Sequence, residues 1–481
     1  MEVEEAIMNF QNKKFPLQIF RAYDIRGKIS LLTPELVKAI AYGLVAQYQK
    51  LGQTQLAIAY DARLTSPDYA EIMKQVCEER GLKATIIGCC ATPVLYFIAR
   101  QFDGNGIMIT ASHNPKIDNG IKWIMQGEPP SPDLIQQVAC TASTRFDPSQ
   151  KIVMQPIQHE VVVQYCLEYQ HALLQDIQLK RSFNVVLDGL NGSAGRCAAL
   201  VLNKLGCELT ALRCDANGEF PDHAPDPSQE KHLIELKKTV LEQQADIGIA
   251  LDGDGDRVVL IDEKGTTISA DRLLSLFAEM CLKTHPAHEV VFDVKCSTMV
   301  ANTVRQLGGR AKMIRTGSSF LRTYMSQSKG KAVFGGEYAG HYVFNDGRGF
   351  GYDDGLYAAL RVLEYLSLQP DLTLSEALQA YPERCCTEDT YISTHSEEPI
   401  AVLQDVEIKS HHFGARLSKI DGVRLDFKDG FGIIRASNTG EYFTVRFDAD
   451  NPVRLNAIRN TFVSMLSDRY PKIAQDILDA Q

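Results

Sequence analysis

Three pairs of apolar runs, each ending in an acidic residue or a polar turn, recur along this chain. Helical patterns at 67–80, 195–205 and 298–307 separate the two members of each pair. Strands that alternate with helices are typical of parallel α/β units, which bind ligands at the carboxyl ends of their strands. Apolar runs that end in Asp or Gly are also ordinary turn chemistry, which leaves a structural alternative open. The paired runs are 56–60 with 106–110, 184–187 with 247–251, and 290–292 with 332–334.

A different pattern begins near residue 380. Apolar and polar residues alternate at 423–427, 432–435 and 443–447, and a helical stretch follows them. This alternation predicts an antiparallel sheet with one buried face, and so a smaller α+β domain after the three α/β units.

Composition excludes several classes of protein. The chain has 481 residues, of which 45% are hydrophobic and 23% are charged, as in globular proteins. Its formal charge is −10, so the chain lacks the overall positive charge that is typical of nucleic-acid-binding proteins. No 18 consecutive residues are apolar, and the first residues are acidic where a secretory signal is basic. We therefore expect a cytoplasmic protein with no membrane or nucleic-acid partner and no obligate protein partner.

The segment 110–115, TASHNP, places a hydroxyl beside a histidine at the end of an apolar run. Ser112 is thus a candidate nucleophile. The segment lacks the Gly-x-Ser-x-Gly elbow of many hydrolases, so a hydrolase is weakly supported. A turn without catalytic function is the alternative.

Three carboxylates alternate with glycines in DGDGDR, which spans 252–257. Asp252, Asp254 and Asp256 would converge on a cation, and oxygen ligands that leave room for a phosphate oxygen favour Mg²⁺. An EF-hand is the rival, because Glu263 stands at its loop position 12. However, position 6 requires glycine and is Arg257 here, so we prefer a magnesium site.

Three further segments carry suitable chemistry. Glu337 and His341 could accept hydrogen bonds from sugar hydroxyls and move a proton near neutral pH. The turn at 435–440 offers a guanidinium, hydroxyls, an amide and backbone N–H groups, which suit a phosphate dianion. It could also be a solvated turn. The loop at 21–27 has two arginines beside a tyrosine and could also bind a ligand. The alternative is that it is only a helix-capping segment.

Together these segments resemble the α-D-phosphohexomutases, and within them the bacterial phosphomannomutase/phosphoglucomutase branch. The resemblance spans essentially the whole chain, and its motifs stand in the family's order. They are RAYDIRG at 21–27, TASHNP at 110–115, NGIK at 119–122, DGDGDR at 252–257, GEYAGH at 336–341, GYDDG at 351–355 and RASNT at 435–439.

The resemblance implies a heart-shaped, four-domain enzyme with three related α/β domains and a mobile C-terminal α+β domain. The implied domains are 1–157 with a phosphoserine loop, 158–266 with a metal-binding loop, 267–376 with a sugar-recognition loop, and 377–481 with a phosphate-binding loop.

The resemblance also implies roles for residues. Ser112 would be the phosphoserine, which together with Asp252, Asp254 and Asp256 would hold one Mg²⁺ per chain. The implied catalytic residues are Ser112, His113, Arg26, Lys122 and His341. The implied substrate-binding residues are Tyr23, Arg257, Arg322, Glu337, His341, Arg435, Ser437, Asn438 and Thr439.

The implied reaction interconverts hexose 1-phosphate and hexose 6-phosphate through hexose 1,6-bisphosphate. Phosphoglucosamine mutase is one alternative, and a non-catalytic sugar-phosphate-binding relative is another, although such a relative would be expected to have lost Ser112 or a metal carboxylate. Two departures from the family pattern leave sugar preference open. Ala339 replaces a serine, and the segment 316–322 has Ser318 where the family has histidine and ends in Arg322 where it has lysine.

Overall fold

The computed structural model describes residues 15–152, 163–437 and 440–479. The chain divides into two compact units. The first unit comprises Met1–Ile268 with Ala339–Ala377, and the second comprises Ser269–Tyr338 with Leu378–Gln481. The predicted domain boundaries after residues 157, 266 and 376 stay predictions.

The first sheet belongs to the first unit, and its five strands run in the order β1-β5-β4-β2-β3. β2 pairs in parallel with β3 and β4, whereas β5 is antiparallel to β4 and β1. Thr33 and Ser131 accept hydrogen bonds from the first turns of α1 and α4, as N-caps do. The strands are β1 Ile25–Lys28, β2 Gln55–Tyr60, β3 Lys83–Cys89, β4 Gly106–Ile109 and β5 Asp118–Ile124, and the helices are α1 Pro34–Lys50, α2 Ser66–Glu79, α3 Thr92–Ala99 and α4 Pro132–Arg145.

The second sheet also belongs to the first unit, in the order β7-β6-β8-β9. β6 is parallel to β7 and β8, and β9 returns antiparallel to β8. Its elements are β6 Asn184–Asp188, β7 Glu208–Leu212, β8 Ile247–Leu251 and β9 Val258–Asp262, with helices α5 Val163–Asp176, α6 Gly195–Lys204 and α7 Ile234–Glu242.

The third sheet supplies the second unit with a central strand, β10, which is parallel to β11 and β12. Further along the chain, β13, α11 and α12 belong to the first unit. The elements are β10 Glu289–Asp293, β11 Arg310–Ile314, β12 Ala332–Gly336 and β13 Tyr342–Phe344, with helices α8 Ala270–Thr284, α9 Thr298–Gln306, α10 Ser318–Gln327, α11 Gly355–Ser367 and α12 Leu374–Ala377.

These sheets confirm the predicted repeat. The two runs of each predicted pair are neighbouring parallel strands, namely β2 with β4, β6 with β8, and β10 with β12. The helices between them lie within one residue of the predicted bounds at both ends. The apolar runs are therefore buried parallel strands, and the turns after them lie at the carboxyl edges of their sheets.

The predicted antiparallel sheet at the C-terminal end is also confirmed. β17, β18 and β19 pair antiparallel in succession, and helices contribute to a shared apolar core. Residues 25–28, within the loop that could have capped a helix, instead form the edge strand β1. The remaining elements are β14 Cys385–Cys386, β15 Thr390–Ser393, β16 Arg416–Ser418, β17 Val423–Phe427, β18 Gly430–Ala436 and β19 Tyr442–Ala449, helices α13 Pro399–Ser410, α14 Pro452–Leu466 and α15 Pro471–Asp479, and 3₁₀ turns at Leu17–Ile19, Arg100–Phe102, Glu230–His232 and His411–Phe413.

Within the described ranges, every helix is too short or too polar to cross a membrane.

Candidate active site

Ser112 lies just beyond the carboxyl end of β4, in the first unit, and its side chain is buried. Its backbone φ of 52° is in the left-handed region, which a residue with a Cβ seldom adopts. The Ser112 N–H donates to Thr110 Oγ1 at 2.8 Å, and its Oγ donates to Asp252 Oδ2 at 2.6 Å. These hydrogen bonds thus hold Ser112 in an unusual backbone conformation, and such conformations are common at functional sites.

The turn between β8 and β9 carries Asp252, Asp254 and Asp256, and all three carboxylates are buried. One oxygen from each lies within 4.8 Å of the other two. Glycine is required at position 253, since a Cβ there would lie 2.5 Å from the carbonyl oxygen of Ser112. The turn therefore packs directly on the backbone of the candidate nucleophile.

The three carboxylates fit a divalent cation. Burial, then the charges of Asp256 and Asp254, raise the pKa of Asp252 well above its usual range. Asp254 Oδ1 and Asp256 Oδ1 are buried and accept no hydrogen bond from the described residues. Buried oxygens without a donor are costly, and an all-oxygen ligand set suits a hard cation such as Mg²⁺.

Lys122 on β5 adds a positive charge to this cluster. Its Nζ donates to Asp254 Oδ2 at 2.8 Å and to Asp256 Oδ2 at 2.7 Å. Although burial opposes the charged form, the two carboxylates raise the pKa of Lys122 well above its usual range. Asp254 Oδ2 also accepts a hydrogen bond of 2.6 Å from Thr92 Oγ1 at the start of α3. Asp254 is thus oriented by two donors.

Arg26 contacts the TASHNP loop, and His113 belongs to it. The Arg26 guanidinium donates to Asp24 Oδ2 at 2.6 Å and to Asn114 Oδ1 at 3.1 Å. Burial among positive charges lowers the pKa of His113 well below its usual range. The imidazole is therefore neutral at pH 7, and its Nδ1 lies 3.2 Å from Ser112 Oγ.

His341 forms a chain of contacts with an arginine and an aspartate. Arg257 Nε donates to His341 Nε2 at 2.8 Å, and His341 Nδ1 lies 2.8 Å from Asp353 Oδ2. Because arginine can only donate, Nε2 accepts, and the ring proton is assigned to Nδ1, which donates to Asp353. Burial lowers the pKa of His341, but the charge of Asp256 together with the charge and hydrogen bond of Asp353 raises it above its usual value. Protonation of Nε2 would therefore break the bond from Arg257.

In the second unit, the turns after β10, β11 and β12 are joined by hydrogen bonds. Glu337 Oε1 accepts from the Gly317 N–H at 2.5 Å. Asp293 Oδ2 accepts from Thr316 Oγ1 at 2.8 Å, and Asp293 Oδ1 accepts from the Tyr338 N–H at 3.1 Å. Glu337 is thus held at the carboxyl edge of the third sheet, where the repeat predicts a binding loop.

Arg435 lies near the end of β18 and is paired with an aspartate. Its Nη2 lies 3.0 Å from Asp421 Oδ2, and Asp421 also accepts a 3.3 Å hydrogen bond from the Thr316 N–H. Arg435 Nε is buried and has no acceptor among the described residues. The guanidinium therefore offers a donor to an anion.

The other predicted binding residues have different local settings. The Ser437 N–H donates to the Tyr442 carbonyl oxygen at 2.9 Å, which closes the turn. Arg322 is buried on α10, and Tyr23 is half-buried just before β1. Asn438 and Thr439 lie outside the described residues.

The structure brings most of the predicted residues of the first unit into one cluster. Arg322, Glu337, Arg435 and Ser437 belong to the second unit. Tyr23 joins the cluster through its electrostatic interaction with Arg26. Arg26 bonds to Asn114 in the loop of Ser112. The residues linked directly by hydrogen bonds or ion pairs are Ser112, His113, Lys122, Asp252, Asp254, Asp256, Arg257 and His341.

Several polar residues around these loops were not among the predicted site residues. Asp353 stands in the GYDDG motif, and Arg63 and Lys295 each follow, by two positions, the aspartate at the end of an apolar run. That recurring position could have been recognised as part of the repeat. Thr92 and Asp421 have no comparable signal.

Comparison with known proteins gives consistent matches to three domain families. Models described as Phosphoglucomutase/phosphomannomutase, alpha/beta/alpha domains I, II and III, match residues 17–146, 165–265 and 269–385 respectively.

Two bacterial relatives match nearly the whole chain. A phosphomannomutase/phosphoglucomutase from Pseudomonas putida is 35% identical over 460 residues, which are 95% of this chain and 97% of the relative. A phosphoglucomutase from Neisseria meningitidis is also 35% identical, over 93% of this chain and 96% of the relative.

A solved structure of similar fold is a phosphoglucomutase/phosphomannomutase family protein from Burkholderia thailandensis. The TM-score is 0.85 at 31% identity, and the match covers 95% of this chain and 99% of that one.

Proposed function

Because the chain belongs to the α-D-phosphohexomutase superfamily, in its bacterial phosphomannomutase/phosphoglucomutase branch, we propose that Ser112 is its phosphorylated nucleophile. The enzyme is a phosphohexomutase, an isomerase that moves a phosphoryl group within a hexose phosphate. The observation that carries the assignment is the 2.6 Å hydrogen bond from Ser112 Oγ to Asp252, in a buried turn of three carboxylates.

The proposed reaction has two transfers. Phosphoserine 112 gives its phosphoryl group to the free 6-hydroxyl of hexose 1-phosphate. The Oγ–phosphorus bond breaks as the O6–phosphorus bond forms, and the hydroxyl proton passes to Ser112 Oγ, which leaves hexose 1,6-bisphosphate. The bisphosphate then presents its other end, and Ser112 Oγ takes the phosphoryl group from O1, while the proton lost by Ser112 Oγ passes to O1. The products are hexose 6-phosphate and the regenerated phosphoserine. Both transfers are reversible, so the same steps in reverse convert hexose 6-phosphate to hexose 1-phosphate.

Side chains of the first unit supply charge and proton acceptance. Lys122, Arg26 and Arg257 would neutralise the charge that develops on the transferring group, since phosphoryl transfer asks chiefly for positioning and electrostatic stabilisation. Neutral His113, with Nδ1 3.2 Å from Ser112 Oγ, is placed to accept the hydroxyl proton.

We assign Mg²⁺ to Asp252, Asp254 and Asp256, with the phosphate on Ser112 completing the ligand set. The two carboxylate oxygens without donors support this assignment. When bound, the cation would offset the negative charge of the phosphate. In the same fold, an Aspergillus fumigatus N-acetylphosphoglucosamine mutase, 15% identical with a TM-score of 0.56, was solved in complex with GlcNAc-6P and magnesium.

Residues of the second unit would recognise the rest of the substrate. Arg435 and Ser437, with Asn438 and Thr439 of the same motif, are proposed to bind the phosphate that is not transferred. Glu337 would accept hydrogen bonds from sugar hydroxyls. Ala339 lacks the hydroxyl and Ser318 lacks the imidazole that are usual at these positions in the family, so the preference between sugars stays open, and glucose and mannose phosphates are both proposed as substrates.

Steady-state assays with glucose 1-phosphate, mannose 1-phosphate and glucosamine 1-phosphate under identical conditions test the proposal. We expect turnover of the first two, with hexose 1,6-bisphosphate as activator. A higher kcat/KM for glucosamine 1-phosphate would identify a phosphoglucosamine mutase. No turnover of any substrate, with sugar phosphate still bound, would identify a non-catalytic relative.

A further inference from the structure

We propose that Arg63 is a positioning residue for phosphoryl transfer, which fixes the backbone of the loop at 112–118 and so aims Ser112 Oγ. The inference rests on the proposed function, since it concerns the same nucleophile. Arg63 lies in the turn between β2 and α2, and only 2% of its surface is exposed.

The Arg63 guanidinium has five N–H donors, and the loop uses four of them. One Nη2 proton goes to the carbonyl oxygen of Ser112 at 2.8 Å and the other to that of Asn114 at 2.6 Å. Nη1 donates to the carbonyl oxygens of Pro115 at 2.7 Å and Asp118 at 3.0 Å. One rigid, planar group therefore sets the position of four successive parts of the loop.

The fifth donor binds Asp61, which directly follows β2. Arg63 Nε donates to Asp61 Oδ2 at 3.0 Å, and Thr110 Oγ1 donates to the same oxygen at 2.8 Å. Thr110 Oγ1 in turn accepts from the Ser112 N–H at 2.8 Å. The network thus closes on Ser112 from both sides, because Arg63 binds its carbonyl and Asp61 acts on its N–H through Thr110.

This arrangement matters because Ser112 has a positive φ. Such a backbone conformation costs free energy and persists only where the surrounding contacts impose it. Without Arg63, the buried carbonyl of Ser112 and three partly buried carbonyls would lose a donor, and the loop would relax towards conformations that satisfy them with water. The Arg63 guanidinium donates to backbone carbonyls of the loop and to Asp61, so its expected effect is on the position of Ser112 Oγ. Misplacement of a reacting atom by about 1 Å can cost on the order of 100-fold in rate.

The main experiment compares Arg63→Lys and Arg63→Met with wild type. A lysine has three donors from one atom and cannot span four carbonyls. We expect kcat to fall by about 10-fold to 100-fold in both variants, by that positioning argument, while KM for glucose 1-phosphate changes little. The rate of Ser112 phosphorylation by glucose 1,6-bisphosphate, followed by intact-mass spectrometry, should fall with kcat.

Arg348→Met is the matched control, since Arg348 in the same unit also uses its guanidinium on a backbone carbonyl and on two carboxylates, those of Asp176 and Glu364. It should lower the melting temperature and leave kcat per folded molecule nearly unchanged. If both Arg63 variants lose activity only in proportion to their folded fraction, as Arg348→Met does, the positioning role is wrong.

Thr110 supplies a second test should the Arg63 variants fail to fold. Thr110→Val removes the link from Asp61 to Ser112 at nearly constant volume, whereas Thr110→Ser keeps the hydroxyl. We expect the loss in kcat for Thr110→Val and its recovery for Thr110→Ser. Equal kcat in both overturns the network. Failure of the proposed function is distinguishable, because wild type itself would then show no phosphorylation of Ser112.

Discussion

The loop that carries Ser112 and the turn that carries Arg435 are built in opposite ways. Around Ser112, the N–H, the carbonyl and the hydroxyl all have partners in the first unit. In the second unit, Arg435 pairs with Asp421, and its Nε has no acceptor among the described residues. In the proposed function, the first arrangement would keep a reacting atom fixed, while the second would keep a charge available for exchange with an incoming anion. A nucleophile needs one geometry, whereas a residue that binds a phosphate needs a replaceable partner.

The sharpest test of the fixed loop is Ser112→Ala. Removing the nucleophile should reduce kcat by about 10³-fold or more, as for other covalent catalysts. Intact-mass spectrometry and peptide mapping should show phosphate on Ser112 in wild type and none in the variant. Full activity in Ser112→Ala, with no phosphorylated residue elsewhere, would sink the assignment.

Removal of the cation should have the next largest effect. Chelation is expected to abolish turnover and Mg²⁺ to restore it, because three buried carboxylates repel one another without a cation. Asp254→Asn should weaken metal affinity, measured by calorimetry, and lower kcat by about 100-fold, the loss typical of removing one electrostatic contact.

Glu263→Gln is the matched control for the metal site. Glu263 contacts Ser375 and lies in the turn after β9, so metal affinity should stay unchanged. A loss of affinity in Glu263→Gln as large as that in Asp254→Asn would instead favour the EF-hand alternative, in which both residues are ligands.

Arg435→Ala tests the exchangeable turn. A charge-assisted hydrogen bond contributes about 1.5 to 3 kcal/mol, so kcat/KM should fall by about 10-fold to 100-fold. The loss should come mainly from KM, because the anchoring phosphate is bound in ground state and transition state alike. Arg416→Ala, an exposed arginine on β16 of the same sheet, should leave KM unchanged. Equal KM in both variants would move the phosphate site elsewhere.

Asp421→Asn should produce a smaller change of opposite sign. Without its charge, the side chain competes less with phosphate for Arg435, and we expect KM to fall by about 2-fold to 5-fold, as suits a partly exposed ion pair. An increase in KM would show that Asp421 orients Arg435 for binding, and the contrast between the two loops would then be weaker.

The smallest effect concerns acid stability away from both loops. Burial raises the pKa of Asp346, but the ion pair with Arg361 outweighs it and lowers that pKa below its usual range. A lowered folded-state pKa stabilises the protein above the unfolded value, near 4, and this stability is lost as pH falls through the folded value. Asp346→Asn should therefore flatten the fall in melting temperature between about pH 5 and pH 3.

Asp429 in the second unit provides the comparison for Asp346. Its pKa is also lowered, by a hydrogen bond from Arg454, but the pair is more exposed. Exposed pairs contribute about 0 to 1 kcal/mol, so Asp429→Asn should change the pH dependence of the melting temperature less. An equal change in both variants would show that burial of the pair is unimportant.

Local patterns in the sequence were sufficient for the repeat and for the main chemical groups. The apolar runs predicted β2, β4, β6, β8, β10 and β12, because a buried parallel strand requires a short continuous apolar segment. The alternation of carboxylates with glycines predicted a turn of three converging carboxylates for a similar reason, since both the carboxylates and the backbone freedom they need are local. Ser112 was recognisable from its place after a strand.

Contacts between distant segments depended on the tertiary structure. Lys122 donates to Asp254 and Asp256, 132 and 134 positions away, only because the first two sheets, both in the first unit, pack with β5 near the turn after β8. The four carbonyls that meet on Arg63, and the tautomer of His341, depend likewise on how separate turns meet. Periodicity within one segment determines which residues are buried and where turns fall. Hydrogen bonds between distant segments depend instead on how strands are ordered and how sheets pack, and no local pattern encodes that.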